Sequence, residues 1–181
     1  SWARAPGAIG ASPLTYGAHG GPAWGYHLRP QVDPKTFSLH ITRAEKWLRH
    51  SRPHATPDLS GLMIGLGESQ DAAAIKQLDR CRQLLRSAQA PAGGWGPFAT
   101  HRAEPYDTAI VLIALAQQKP NKSYQPLLQA GRSWLIKQQL EDGSWAETTR
   151  PANSESYAHR ISTTAWATLA LIATQDLLDS K

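Results

Sequence analysis

The chain has 181 residues, 41% of them hydrophobic and 18% charged, which suits one domain with a buried core and excludes a disordered polyelectrolyte. Nineteen basic against fourteen acidic side chains leave a net charge of +5. A single cysteine, Cys81, excludes an intrachain disulfide and a cysteine-based zinc cluster. The longest apolar run, Ala109 to Ala116, falls far short of the roughly 18 residues that a membrane span needs. The chain starts at Ser1 rather than methionine, which points to processing or trimming. It leaves the compartment open, an exported or periplasmic one included.

Residues 1–40 hold six of the fourteen glycines and five prolines, together with Trp2, Tyr16, Trp24 and Tyr26. Glycine and proline oppose long helices, so residues 1–34 read as an extended arm whose aromatics lie against something. Residues 35–181 read as a helical domain. Phe37, Ile41, Ala44 and Leu48 form one amphipathic face, closed by Pro53. Asp58 opens a short apolar helix to Leu66, followed by a charged amphipathic helix over 71–88. Asp107 opens a helix over Thr108 to Gln117 that is apolar almost all round. An amphipathic helix follows over 124–140, and the last is expected from about Ser162 to Leu178. Helices apolar all round must be covered by those with one apolar stripe, so the alternation predicts an inner and an outer layer.

An internal register supports this reading. Leu84-Leu85, Gln89, Gly93 and Trp95 recur 50 residues on as Trp134-Leu135, Gln139, Gly143 and Trp145. Asp58 to Leu66 recurs 49 residues on as Asp107 to Leu115, and a third copy, Thr163 to Leu171, lies 56 further on. The first copy lacks the Gly-Trp turn and is joined more tightly. The fold expected from the register is all-α, an array of about three α-hairpins. In the turns marked by Gly94-Trp95 and Gly143-Ser144-Trp145, glycine permits a left-handed backbone at the end of the outer helix. Gln89 and Gln139 can bond freed backbone groups, and the tryptophans can plug the gap between hairpins. The Asp or Thr at each inner-helix start is expected to act as N-cap.

Leu-Leu-x-x-x-Gln-x-x-x-Gly-x-Trp at 84–95 and its copy at 134–145 resemble the glutamine-tryptophan repeats of squalene and hopene cyclases. Tyr106-Asp107-Thr108-Ala109 and Ser162-Thr163-Thr164-Ala165 resemble the inner-helix starts of those repeats. The resemblance covers about residues 40–178. It implies the α/α toroid shared with protein prenyltransferase β subunits, whose inner helices enclose an apolar hollow for prenyl chains. Hopene-type cyclases begin with an Asp-x-Asp-Asp-Thr-Ala motif whose middle aspartate protonates an alkene. The matching stretch is Glu104-Pro105-Tyr106-Asp107-Thr108-Ala109, with tyrosine in the place of the proton donor. A phenol, ordinarily near pKa 10, is far too weak an acid for that step. Asp107 and Glu104 remain as catalytic candidates, with helix capping the plainer reading of Asp107. The zinc ligands of prenyltransferases are not matched, because Cys81 stands outside any Asp-x-Cys motif. The Gly-Cys-x-Glu-Gln segment of thioester domains is absent.

Parallel inner helices would bring their N-termini to one mouth, gathering His54, Asp58, His101, Glu104, Tyr106, Asp107, Glu147, Glu155, Tyr157, His159 and Arg160. Helix N-termini favour anions there, and the alternative is a solvated loop rim. His50 and His54 have i, i+4 spacing but are separated by Pro53, so no metal or other cofactor is expected. Arg43, Lys46, Arg49 and Arg52 form one basic run, and Lys76, Arg80, Arg82 and Arg86 another. Both read as solvated outer faces; an anionic headgroup or nucleic-acid patch is the alternative, and no aromatic-basic RNA motif supports nucleic acid.

Three hairpins make about half of such a ring, so the chain is expected to belong to a longer protein or to pair with a protein partner or a second copy. The leading functional expectation is a non-catalytic binding or assembly module. A prenyl or other apolar ligand and peripheral membrane contact stay compatible with it. The alternatives are a divergent or fragmentary prenyl-lipid cyclase and an α/α-fold carbohydrate-active protein.

Overall fold

Asp33 starts the first helix by accepting from the backbone N–H groups of Lys35 and Thr36, at 3.1 and 3.2 Å. This is the ordinary way an aspartate satisfies first-turn donors. The computed structural model describes residues 33–67, 69–118, 122–148, 157–175 and 177. The expected arm over 1–34 therefore lies almost wholly outside the described residues, as does Glu155. Those described form six helices and no strand: α1 (Pro34–His50), α2 (Thr56–Leu66), α3 (Ala72–Ala88), α4 (Pro105–Ala116), α5 (Gln125–Lys137) and α6 (Tyr157–Ala173). A 3₁₀ turn, Lys122–Tyr124, precedes α5.

Two layers result. Helix α4 packs between α2 and α6, while α1 and α3 lie on α2, and α5 lies on α4. Every residue of α2 is buried, as is Tyr106 to Leu115 of α4. The outer helices bury single stripes: Ala74, Gln77, Leu78, Cys81, Leu85 and Ala88 on α3, and Leu128, Gly131 and Leu135 on α5. These three- and four-residue spacings are what one face of a helix allows. On α1 the stripe is buried only in its C-terminal half, at Ala44 and Leu48, and Phe37 is exposed.

The inner helices start earlier than the sequence suggests. Helix α2 begins at Thr56 and α4 at Pro105, with Ala55 and Glu104 at the N-cap positions. Asp58 and Asp107 thus stand one turn inside, not at the caps. Proline needs no N–H partner and presets the helical φ, so Pro57 and Pro105 let the helix extend upstream of each aspartate. Helix α6 begins at Tyr157, not near Ser162, because nothing between Tyr157 and Ile161 breaks a helix and His159 is buried. The inner-layer core is also incomplete at α6. His159, Thr163, Ala167 and Ala170 are buried, while Ile161, Leu169 and Ile172 are exposed.

The two long turns carry the same set of bonds. Gln89 Nε2 donates to Gly93 O at 2.7 Å, and Gln139 Nε2 to Gly143 O at 2.8 Å. Trp95 Nε1 donates to Leu85 O, and Trp145 Nε1 to Leu135 O, both at 2.8 Å. The left-handed residues are Gly93 and Gly143, with φ of 108° and 83°. Gly94 serves a different need, because a Cβ there would stand 2.6 Å from the Trp134 ring.

The two positive-φ glycines make a matched test. A Cβ on Gly93 would lie 2.5 Å from Ala130 O, whereas one on Gly143 would meet nothing within 4 Å. Gly143→Ala is expected to cost about 1 kcal/mol of backbone strain, and Gly93→Ala about 2–4 kcal/mol because a clash is added. Urea unfolding of both variants measures the difference; equal losses would mean that the approach of Ala130 does not matter.

Candidate functional site

The starts of the inner helices are linked to one another at one end of the hairpins. Thr56 N, in α2, donates to Pro97 O in the turn before α4 at 2.8 Å. Glu104, at the start of α4, accepts from Thr148 Oγ1 in the segment before α6 at 2.7 Å. Within each start the tryptophan backbone meets a helix hydroxyl: Trp95 N donates to Thr108 Oγ1 at 2.9 Å, and Trp145 N to Thr164 Oγ1 at 3.1 Å. Thr108 and Thr164 stand in the 56-residue register of the inner helices, so this bond fixes the alignment of turn and helix in both hairpins.

The acidic candidates are mostly engaged. Asp58 is buried, and its Oδ2 accepts from the backbone N–H groups of His54 and Ala55 at 3.0 and 3.2 Å. A carboxylate at the third helical position reaching back to the cap satisfies donors the helix cannot, and its charge suits the helix dipole there. Asp107 is fully buried and Tyr106 is 1% exposed, both within the first turn of α4. Glu104 is half-buried. Glu147 pairs loosely with Arg160 at 3.8 Å, and Arg160 also stands 4.0 Å from Asp142. Asp142 is held below the usual carboxylate range, first by the Ser144 hydroxyl that donates to it and then by the Ser144 backbone N–H.

The histidines are not drawn into one cluster. His54 and His101 are exposed, the latter with its ring 5.0 Å from that of Phe98, while His159 is buried on α6. His50 Nδ1 donates to Lys46 O at 2.7 Å, an i, i+4 contact within its own helix. Among the described residues no three His, Cys, Asp or Glu side chains have the arrangement of a metal site. No helix among them is long and apolar enough to cross a membrane. Tyr157 is exposed, and Glu155 lies outside the described residues.

Several structural residues escaped the sequence reading. Arg82 donates to Gln118 Oε1 at 3.1 Å, and Arg132 donates to Thr174 Oγ1 at 2.8 Å and to Leu171 O. In both cases an outer-helix arginine reaches the C-terminal end of the next inner helix. The pairs follow the 50- and 56-residue registers already visible in the sequence, so extending that register to polar residues would have found them. Arg82 also pairs with Asp79 at 2.7 Å, so it belongs to the packing rather than to a solvated basic face.

The hairpin array, with turns closed by a glutamine and a tryptophan, defines the class to which the chain belongs. The profile of the squalene-hopene cyclase C-terminal domain matches residues 41–181, and the chain is a member of that family. A comparison with curated proteins yields no match.

Two outcomes follow from these environments. Asp58→Ala removes the acceptor for two backbone donors and is expected to cost about 1–3 kcal/mol in urea unfolding; no loss would show that those donors need no carboxylate. Burial pushes the Cys81 thiol up to about 12, although Arg80 and Arg82 lower it. With the folded pKa above the ordinary 9.0, the thiol's contribution to stability is full below that pH and declines as pH rises towards 12. At about pH 8 iodoacetamide should therefore spare the native protein while alkylating the urea-unfolded chain. Rapid alkylation of the native protein would contradict the burial.

Proposed function

We propose that this member of the squalene-hopene cyclase C-terminal domain family is a non-catalytic binding or assembly module, a tandem array of hairpins that packs against another protein surface. The observation that carries the reading is the unequal burial of the inner layer. Helices α2 and α4 are covered nearly all round, whereas α6 leaves Ile161, Leu169 and Ile172 exposed, the last at 64%. An inner-layer helix with an uncovered apolar face loses the hydrophobic stabilisation its neighbours gain, on the order of 25 cal/mol per Å² of surface left in water. Docking of a protein surface on that face recovers it.

The chemistry at the inner-helix starts supports the same reading. Tyrosine occupies the position that an alkene-protonating aspartate takes in hopene-type cyclases, and Tyr106 and Asp107 are both buried. Of the other acids there, Glu104 holds Thr148, Asp58 holds backbone amides and Glu147 lies beside Arg160. None is presented as a strong acid beside an open apolar hollow. The candidates at the mouth, His54, His101, Tyr106, Glu147 and His159, then serve the scaffold or its partner rather than a reaction.

Native mass spectrometry of the protein at micromolar concentration should show a complex or oligomer heavier than the 19.8 kDa chain. Leu169→Glu combined with Ile172→Glu should weaken that association roughly tenfold or more while circular dichroism stays unchanged, since both side chains are exposed. A uniformly monomeric protein would sink the assembly reading. Incubation with squalene or prenyl diphosphates should give no cyclised product by mass spectrometry, and a product would restore the enzyme reading.

A further inference from the structure

The two basic runs are separate in sequence, one on α1 and one on α3, and each by itself is an ordinary solvated helix face. The fold brings them together. A hollow of about 740 Å³ lies between the end of α1 and the first half of α3, and Arg49, Arg52, Lys76 and Arg80 line it with Asp79 as the one carboxylate. A second hollow of about 410 Å³ adjoins it across His50 and Ser51, bordered by Arg43, Lys46 and Trp47.

The charges in the main hollow are unequally satisfied. Arg49 is bound to Glu45 and stands 3.4 Å from Asp71, and Asp79 is committed to Arg82 at 2.7 Å. Arg52, Lys76 and Arg80 make no ion pair among the described residues. Three cations around one concavity raise the positive potential there, which favours an anion between them. The first-turn amides of α3 do not supply the site, because Asp71 already accepts from Ala73 N and Ala74 N at 2.9 and 3.1 Å. Recognition would rest on the side chains.

We infer that the hollow between α1 and α3 binds a phosphate-bearing anion, held by Arg52, Lys76 and Arg80. The guanidinium forks match phosphate oxygens in pairs, and Lys76 adds a point charge. An excess of three uncommitted cations suits a multiply charged phosphate or diphosphate better than a single carboxylate. The cations of the main hollow come from two chain segments that face each other across it, Arg52 after α1 and Lys76 and Arg80 on α3. That convergence lets all three reach one phosphate-bearing anion, free or as a headgroup. The site is on the outer layer, at helices other than α6, and so does not depend on the assembly reading.

The test is titration calorimetry of the whole protein with inorganic phosphate and inorganic diphosphate, beside co-sedimentation with phosphatidic acid vesicles and with phosphatidylcholine vesicles. The pair of substitutions Arg52→Gln and Lys76→Gln should weaken diphosphate or phosphatidic acid binding roughly tenfold or more. The charge-matched pair Arg102→Gln and Lys137→Gln, at exposed positions elsewhere, should change it less than about twofold. Site-dependent binding of the soluble anions identifies a free ligand, and site-dependent binding of phosphatidic acid vesicles alone identifies a headgroup. Both support the inference. It is overturned if none of the phosphate-bearing probes binds, if both variant pairs weaken binding equally, or if phosphatidylcholine vesicles bind as well as phosphatidic acid vesicles.

Discussion

In each long hairpin one tryptophan holds two helices at once. Its indole N–H closes on a carbonyl near the end of the outer helix, Leu85 O or Leu135 O, and its backbone N–H on a threonine hydroxyl in the inner helix, Thr108 or Thr164. The ring itself is buried, and so are both indole bonds and the Trp95 backbone bond, where leaving a donor unmet would cost on the order of 1–3 kcal/mol; the Trp145 backbone bond is part-buried. The space for Trp95 comes from Gly131 on α5, where a Cβ would stand 2.5 Å from the ring. Thus the plug of one hairpin also sets how closely the next outer helix approaches.

That clasp has consequences at the starts of the inner helices. Once the turn fixes where α4 begins, the first helical turn is buried, and Tyr106 and Asp107 go inside with it. The carboxylates that survive near the surface are recruited into links between neighbouring starts, as Glu104 is by Thr148. Family membership carries the scaffold of the squalene-hopene cyclase C-terminal domain, and at the inner-helix starts of this chain Asp58 and Glu104 hold parts of that scaffold together.

Polar links at the far end complete the layers. Gln118 donates to Met63 O and Ala114 O at 3.1 and 3.2 Å, joining the ends of α2 and α4, and accepts from Arg82 of α3. Gln77 Nε2 donates to Ser51 O at 2.7 Å, which ties α3 to the link between α1 and α2. Each link satisfies a carbonyl that a helix end or a turn leaves open. With both ends of the hairpins secured in this way, α6 still exposes Ile161, Leu169 and Ile172, and Arg52, Lys76 and Arg80 line the hollow between α1 and α3 without an ion pair among the described residues.

The helical class, the order of the helices and the Gln-Gly-Trp turns were legible in the residues, because periodicity and spacing are local properties of a chain. Of the leucines on the amphipathic helix over 71–88, Leu78 and Leu85 are buried as the pattern suggests while Leu84 is exposed, the apolar run from Ala109 is buried, and Gln89 and Gln139 announced their bonds by position. The sequence misplaced the start of α6 and took Asp58 and Asp107 for caps, since a cap depends on where the upstream chain turns and not on the side chain alone. It saw two basic runs but not that Arg82 is spent on Gln118 while Arg52, Lys76 and Arg80 meet around one hollow. Nor did it show that α6 keeps one face uncovered. Local composition decides what a helix can bury; which faces are buried depends on the neighbours it finds, and only the packed layers decide that.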